Sequence, residues 1–384
     1  MPPWMIFLGI FLFAAVIGGS FWISWRLRQG FQYLFPKISI WVFLSVFAVM
    51  SPIMILGIIS SVVTLPAWLK NSVGVISAYW MGIFIYLAMF FALSELVLAL
   101  GCLLKRISRP VKPVVRFWAV TTALVLALGT SGYGFIHAAD IRVAGYDIAL
   151  EGKSMDGEMN IVLVTDLHLG AAGSESRLER IVDRINQQQP DLVCIAGDIF
   201  DNDFRTIRDP QAAATLLQKI DAPFGVWACL GNHDSGETVG QMLYFLAESN
   251  IQVLNDAYTV IDDRVVLVGR LDAFPIAGFG GIWRQELNAI LPESERYLPV
   301  VVMDHNPEHV ETYGSDIDLV LCGHTHKGQL FPARLVTMLK FPVDYGYYQN
   351  AAGTQVVVSS GAGTWGMPMR TGSDCEIVTI RLHS

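Results

Sequence analysis

The sequence predicts an N-terminal bundle of about four transmembrane helices followed by an α/β domain built as a two-sheet β-sandwich flanked by helices. Three observations carry this. Apolar residues make up 53% of the chain against 16% charged, too apolar for an ordinary soluble protein. The excess is confined to the part before about residue 132, where four long, almost uncharged runs follow one another. Beyond about residue 141 the pattern changes to short β-rich runs separated by amphipathic segments, as strand–helix alternation requires. These shifts divide the chain into 1–138, a helical membrane domain, and 139–384, a globular domain.

A spanning helix needs about 20 apolar residues. Runs 4–25, 38–65, 73–104 and 117–135 reach or approach that length. The first lacks the basic flank and small-residue cleavage pattern of a signal peptide. Trp4, Trp22, Trp25, Trp41, Trp68 and Trp118 fall near the run ends, as membrane aromatic belts do. Basic residues set the orientation. Arg26, Arg28 and Lys37 follow the first run, and Lys105, Arg106, Arg109, Lys112 and Arg116 follow the third, whereas Lys70 alone follows the second. Both basic loops therefore belong in the cytoplasm. With four spans, both termini and the C-terminal domain are expected outside it, on a bacterial cytoplasmic (inner) membrane; if one run is a re-entrant segment, this inverts. Glu95, inside the third run, is a candidate functional carboxylate or an interfacial one.

In the C-terminal part, segments 161–165, 191–196, 225–230, 300–303 and 317–321 read as buried strands. Leu178, Ile181, Val182 and Ile185 form an amphipathic helical stripe, with Ser176 and Glu179 as a capping box at its start. Runs 265–269, 355–359 and 376–382 lack intervening helices and suggest a second sheet. Cys194, Cys229 and Cys322 lie on the apolar runs as small core residues, and no cysteine spacing suggests a disulfide framework.

The polar motifs sit where strands end, the place where α/β folds gather functional groups. Five runs lead into Asp166-Leu167-His168, Gly197-Asp198 with Asp201 beyond, Gly231-Asn232-His233-Asp234, Asp304-His305-Asn306-Pro307 and Gly323-His324-Thr325-His326. Any one of these could be surface polarity. Together they form an oxygen and nitrogen ligand set without thiolate, suited to two divalent cations: manganese first, with iron, zinc or cobalt as alternatives. His137, His309 and His383 stand apart from these motifs and read as structural or solvent-facing.

The ordered set Asp-x-His, Gly-Asp, Gly-Asn-His-Asp, a lone His and Gly-His-Thr-His resembles the calcineurin-like metallophosphoesterase superfamily over about residues 141–384. Stretches 323–329 (GHTHKGQ) and 360–370 (SGAGTWGMPMR) are most similar to its membrane-anchored bacterial branch. The resemblance implies metal-dependent hydrolysis of a phosphate ester. It assigns Asp166, His168, Asp198 and His326 to one metal and Asp198, Asn232, His305 and His324 to the other, with Asp198 bridging. Two close cations activate a shared water and clamp phosphoryl oxygens for in-line attack. The resemblance makes His233 the group that stabilises developing charge or protonates the leaving oxygen. Asp234 is expected to orient it, and Asp201 is a candidate outer partner.

Lys327 and Arg370 are candidate contacts for substrate phosphate. Segments 274–283 and 331–348 are unusually apolar for loops. They are either packing or a surface for acyl chains and bilayer. A net charge of −8 gives no support for a nucleic-acid partner. The expected partners are the bilayer and a phosphate-ester substrate, a lipid phosphodiester or headgroup linkage. A nucleotide-linked lipid pyrophosphatase is the alternative enzyme, and it requires a cytoplasmic active site. A membrane sensor with a degenerate site is the alternative non-enzyme.

Overall fold

The computed structural model describes residues 3–59, 66–150, 152–153, 155–170, 172 and 175–384. The chain forms two compact units, 1–134 and 135–384. The first holds helices α1 (Pro3–Phe31), α2 (Trp41–Ile59), α3 (Ala67–Leu103) and most of α4 (Pro113–His137). Among the described residues, stretches of α1, α3 and α4 are long and apolar enough to cross a membrane, whereas α2 offers only the shorter run Trp41–Gly57. Small residues let these helices approach, as membrane packing favours. A Cβ on Gly30 of α1 would lie 2.7 Å from Val120 Cβ of α4. Ser20 and Ser51 hydroxyls meet at 2.9 Å between α1 and α2. Glu95 of α3 is paired with Arg26 of α1 at 2.9 Å and with Arg116 of α4. Its carboxylate therefore joins three helices on the side where both basic loops emerge.

The second unit contains two six-stranded sheets. The first runs β1 (Ile141–Ala149), β12 (Cys375–His383), β2 (Glu158–Val164), β3 (Leu192–Ala196), β4 (Val226–Cys229) and β5 (Ile251–Val253). The second runs β10 (Gly346–Gln349), β11 (Gln355–Val358), β9 (Leu319–Cys322), β8 (Val300–Met303), β7 (Val265–Gly269) and β6 (Ala257–Ile261). Helices α5 (Glu175–Gln187), α6 (Pro210–Leu217) and α7 (Val239–Glu248) pack outside the first sheet through Leu178, Ile181, Leu217 and Phe245. The short helices α8 (Leu287–Ile290) and α9 (Arg334–Lys340) follow in the second half. Between the sheets lies an apolar layer that includes Ile161, Leu163, Cys194, Leu267, Val301 and Leu321. Strands β3, β8 and β9 are covered on both faces and fully buried, hence their continuous apolar runs.

Three expectations change here. Segment 376–382 does not join the second sheet. As β12 it lies between β1 and β2, parallel to one and antiparallel to the other. Conversely, β8 and β9 belong to the second sheet beside β7 and β11, so the five motif-bearing strands are shared between both. Strand periodicity reports burial and not neighbours. Helix α5 starts at Glu175, which puts Ser176 inside its first turn and not at the cap.

Candidate metal centre

Every ligand motif leaves the carboxyl end of a strand, and the two sheets bring those ends to one edge. Asp166 follows β2, Asp198 follows β3, Asn232 and His233 follow β4, His305 follows β8, and His324 and His326 follow β9. The glycines in these motifs are spacers. A Cβ on Gly231 would lie 2.3 Å from Asp198 Oδ1, and one on Gly323 would lie 2.4 Å from Asp166 Oδ2. Any side chain there would fill the place the ligands need.

The backbone is also unusual. Asp166, His168, Asp198, His324 and His326 have φ of 54°, 46°, 51°, 69° and 50°. Left-handed backbone costs a non-glycine residue about 1–3 kcal/mol and collects at functional sites. Hydrogen bonds hold these turns: Asp166 N–H donates to Gly197 O at 3.0 Å and His168 N–H to Asp198 O at 3.1 Å.

Among the described residues the side chains form three groups that could hold a cation: Asp166, His168 and His326; Asp198, His305 and His324; and His168, Asp201 and His233, which shares His168 with the first. In the first, His168 Nε2 lies 3.1 Å from His326 Nε2, and His326 Nε2 lies 3.3 Å from Asp166 Oδ1. In the second, His305 Nε2 lies 3.1 Å from Asp198 Oδ2, and His324 Nδ1 lies 2.8 Å from Asn232 Oδ1. Ligands about 2.1 Å from a shared cation at right angles stand roughly 3 Å apart, which these separations match. Asp198 stands between the groups, with Oδ2 also 3.8 Å from His168 Nε2. Its Oδ1 accepts from His233 N–H at 2.9 Å. His305 Nδ1 faces Ala196 O at 2.8 Å. Donating there leaves Nε2 with a lone pair toward Asp198.

Burial shapes the electrostatics. It pushes Asp166 up to about 6, with Asp198 adding and His305 opposing. It pushes His168 down to about 3 against the pull of Asp198, and His324 down to about 3. Asp198 and His305 go the other way: against burial, each pulls on the other, so the carboxyl lies below and the imidazole well above its ordinary pKa. Buried donors around one firmly ionised carboxylate are what a dry cation site presents. The donor set therefore fits two divalent cations. Asp201 Oδ1 lies 3.8 Å from His168 Nδ1.

Among the remaining expected residues, the placements differ. His233 is buried, edge-on to His168 with ring centres 5.1 Å apart and 5.7 Å from Trp365, and its Nδ1 has no partner. Burial lowers its pKa, and Asp198 opposes that shift. Asp234 does not orient it. The Asp234 carboxylate accepts backbone N–H from Phe200 at 2.8 Å, Gly231 at 2.9 Å and Ile199 at 3.2 Å, so it ties two ligand loops together. Arg370 is not a phosphate contact. It is fully buried and donates to His326 O at 3.0 Å, Ser373 Oγ at 2.8 Å and Gly363 O at 2.6 Å, with Nη2 also 3.1 Å from His326 Nδ1. Lys327 Nζ stands 3.6 Å over the Tyr345 ring. His137 pairs with Asp374 at 2.8 Å, His383 with Asp147 at 3.3 Å, and the His309 ring lies 5.7 Å from that of Phe274, tilted by 42°.

Three neighbours of the site escaped the sequence reading. Trp365, half-exposed beside His233, is held by Gln329, whose Oε1 accepts from Trp365 N–H at 2.9 Å. Asp304, next to His305, takes a bidentate Arg284 at 2.8 and 2.6 Å and the Tyr313 hydroxyl at 2.7 Å. Asp272 is buried with Oδ2 unpartnered. Asp304 lay inside a motif already singled out and Trp365 inside the 360–370 stretch, but neither was given a role there.

Residues 159–328 match the family model described as calcineurin-like phosphoesterase. A Danio rerio transmembrane protein with metallophosphoesterase domain is 31% identical over 341 residues, covering 83% of this chain and 75% of that protein. That span exceeds the second unit, so the likeness runs into the helices. An uncharacterised metallophosphoesterase of Aquifex aeolicus is 30% identical over 261 residues, covering 67% of this chain and 98% of that protein. One from Helicobacter pylori is 29% identical over 234 residues, and this chain spans only 60% of its length. With ligand motifs, sheet order and relatives in agreement, the chain belongs to the calcineurin-like metallophosphoesterase family.

Proposed function

We propose that the chain hydrolyses a phosphodiester or headgroup linkage of a lipid, using Asp166, His168, Asp198 and His326 for one divalent cation and Asp198, Asn232, His305 and His324 for the other. The observation that carries this is the pair of neighbouring ligand groups with Asp198 between them, 3.8 Å from His168 Nε2, beside a His233 whose Nδ1 has no partner. When bound, the cations, manganese first, supply a strong nucleophile from water and neutralise phosphoryl charge.

The protein groups do the rest. Asp198 fixes the His233 backbone, and His168 and Trp365 flank its ring. Held below its ordinary pKa, the His233 ring is neutral near pH 7 and donates N–H to charge developing on the phosphoryl or leaving oxygen. Arg370 fixes the His326 carbonyl and ring, whereas Asp201, 3.8 Å from His168 Nδ1, is beyond hydrogen-bond reach of it.

The lipid assignment is supported by exposed apolar side chains at the rim, among them Phe274, Ile276, Trp283 and Phe331. With α2 counted as a fourth span despite its shorter run, the basic loops after α1 and α3 support an extracytoplasmic second unit. The test compares kcat/KM for a lipid phosphodiester and its deacylated counterpart. Burying even a few acyl methylenes, about 0.8 kcal/mol each, should favour the lipid at least tenfold. Equal cleavage of both would remove the lipid assignment and leave the phosphoesterase.

A further inference from the structure

Helix α9 presents an exposed apolar face. Leu335, Val336, Met338 and Leu339 are 61%, 66%, 55% and 89% exposed, and Phe331 just before it is 59% exposed. Soluble surfaces rarely keep so many large apolar groups together. Arg334 and Lys340 bracket this face, each beside a carboxylate, Asp344 at 3.7 Å and Glu308 at 4.0 Å. A helix with apolar residues on one side and basic residues at its ends suits the headgroup layer of a bilayer.

The helix is mounted on the ligand loop. A Cβ on Gly328 would lie 2.3 Å from Arg334 N. Asp344 receives Thr337 Oγ1 at 3.1 Å through its carboxylate and Thr325 Oγ1 at 2.6 Å through its carbonyl. Phe341, the residue after α9, stands 5.6 Å from the His324 ring. What α9 touches, the His324–His326 turn feels.

The chain also enters this unit at the same edge. Ile141, first residue of β1, pairs with Cys375, first residue of β12. Strand β12 is antiparallel to β2, Val378 opposite Leu163, so the starts of β1 and β12 lie where β2 runs out into Asp166. His137, last residue of the span-length α4, is fastened here by Asp374 at 2.8 Å, and Cys375 Sγ lies 3.4 Å from Ala138 O. Three residues separate α4 from β1, a reach of about 10 Å.

We propose that α9 and Phe331 form a bilayer-docking element that seats in the headgroup layer of the membrane the chain itself spans, holding the ligand edge at the lipid surface. The proposal rests on the membrane-phosphoesterase reading for its use and not for its detection.

The experiment uses the full chain in phosphatidylcholine–phosphatidylglycerol nanodiscs. In a Cys102→Ser background the other four cysteines are buried, so Leu339→Cys takes a fluorophore selectively. Asp263→Cys, in the exposed turn between β6 and β7 at the opposite end of that sheet, is the comparison. With nitroxide lipids, the label at 339 should be quenched several-fold more than the label at 263. Moving the label to Val336→Cys and adding Leu335→Asp with Leu339→Asp should bring quenching down to the level at 263. Equal quenching at 339 and 263 overturns the proposal. So does a label at 339 that is shielded from solvent yet unquenched, which would mean a second copy or another protein covers α9. Quenching that persists in a protein without turnover upholds the docking and sinks the enzyme reading. Turnover without quenching does the reverse.

Discussion

Replacing Arg370 separates two roles that predict different kinetics. The guanidinium is fully buried, with partners at 2.6 to 3.3 Å on His326, Ser373, Gly361 and Gly363. Arg370→Met leaves several carbonyls without donors inside the fold. Removing one side of a buried charged network costs about 3–5 kcal/mol, which in a unit of this size lowers Tm by about 6–20 °C. The His326 turn also loses its brace, and removing such an outer partner weakens metal affinity about 10–100-fold. Arg370→Lys keeps the charge, cannot fork, and should fall between. The assay titrates Mn²⁺ into metal-stripped protein and follows both melting and turnover of a phosphodiester. The expected result is a 10–100-fold higher metal requirement, with KM unchanged and kcat at saturating metal within a few-fold of wild type. An unchanged metal requirement with a KM raised tenfold or more would return Arg370 to phosphate binding and refute the bracing argument.

His233→Asn should keep both metals by elemental analysis yet lose about 10²–10⁴-fold in turnover; wild-type turnover in the loaded variant would remove the assigned role. In metal-stripped protein, Asp166 and Asp234, raised to about 6 and about 7 in the fold, contribute stability that is lost as pH rises from about 4 through those values, whereas His168 and His324, held down to about 3, contribute in the opposite sense. Melting curves at stepped pH for wild type and Asp166→Asn isolate the first contribution: the variant should lack the part that falls between about pH 4 and 6, and an unchanged difference across that range would refute the Asp166 assignment. A reporter active only outside the cytoplasm should function after Ser384 and fail in the loop near Arg106. The reverse result would restore the nucleotide-linked lipid reading.

The ligand residues were legible because each sits where an apolar run meets a glycine or a first polar residue, and buried parallel strands write themselves as continuous apolar runs. Neighbours were not legible. The placement of β12 between β1 and β2 depends on a chain return more than 200 residues after β1, which no local period encodes. Arg370 read as a candidate phosphate contact because a guanidinium suits oxyanions, whereas its partner His326 lies 44 positions away. Asp234 read as a histidine partner by adjacency, but its oxygens point back to the amides of Gly231, Ile199 and Phe200. The helix start at Glu175 moved Ser176 off the cap by a shift too small for pattern reading to resolve.

The left-handed backbone at Asp166, His168, Asp198, His324 and His326 changes how knockouts here must be read. Asp, Asn and His tolerate that conformation better than other side chains with a Cβ. Alanine at these positions removes a ligand and also takes away the local tolerance, adding about 1–2 kcal/mol of backbone cost. An inactive Asp166→Ala protein would then mix lost metal with a displaced turn. Asparagine at 166 and 198 keeps shape and tolerance while removing the charge. Glycine keeps the backbone while removing the side chain. Comparing the two assigns lost activity to chemistry or to conformation, a division no alanine scan of this centre can make.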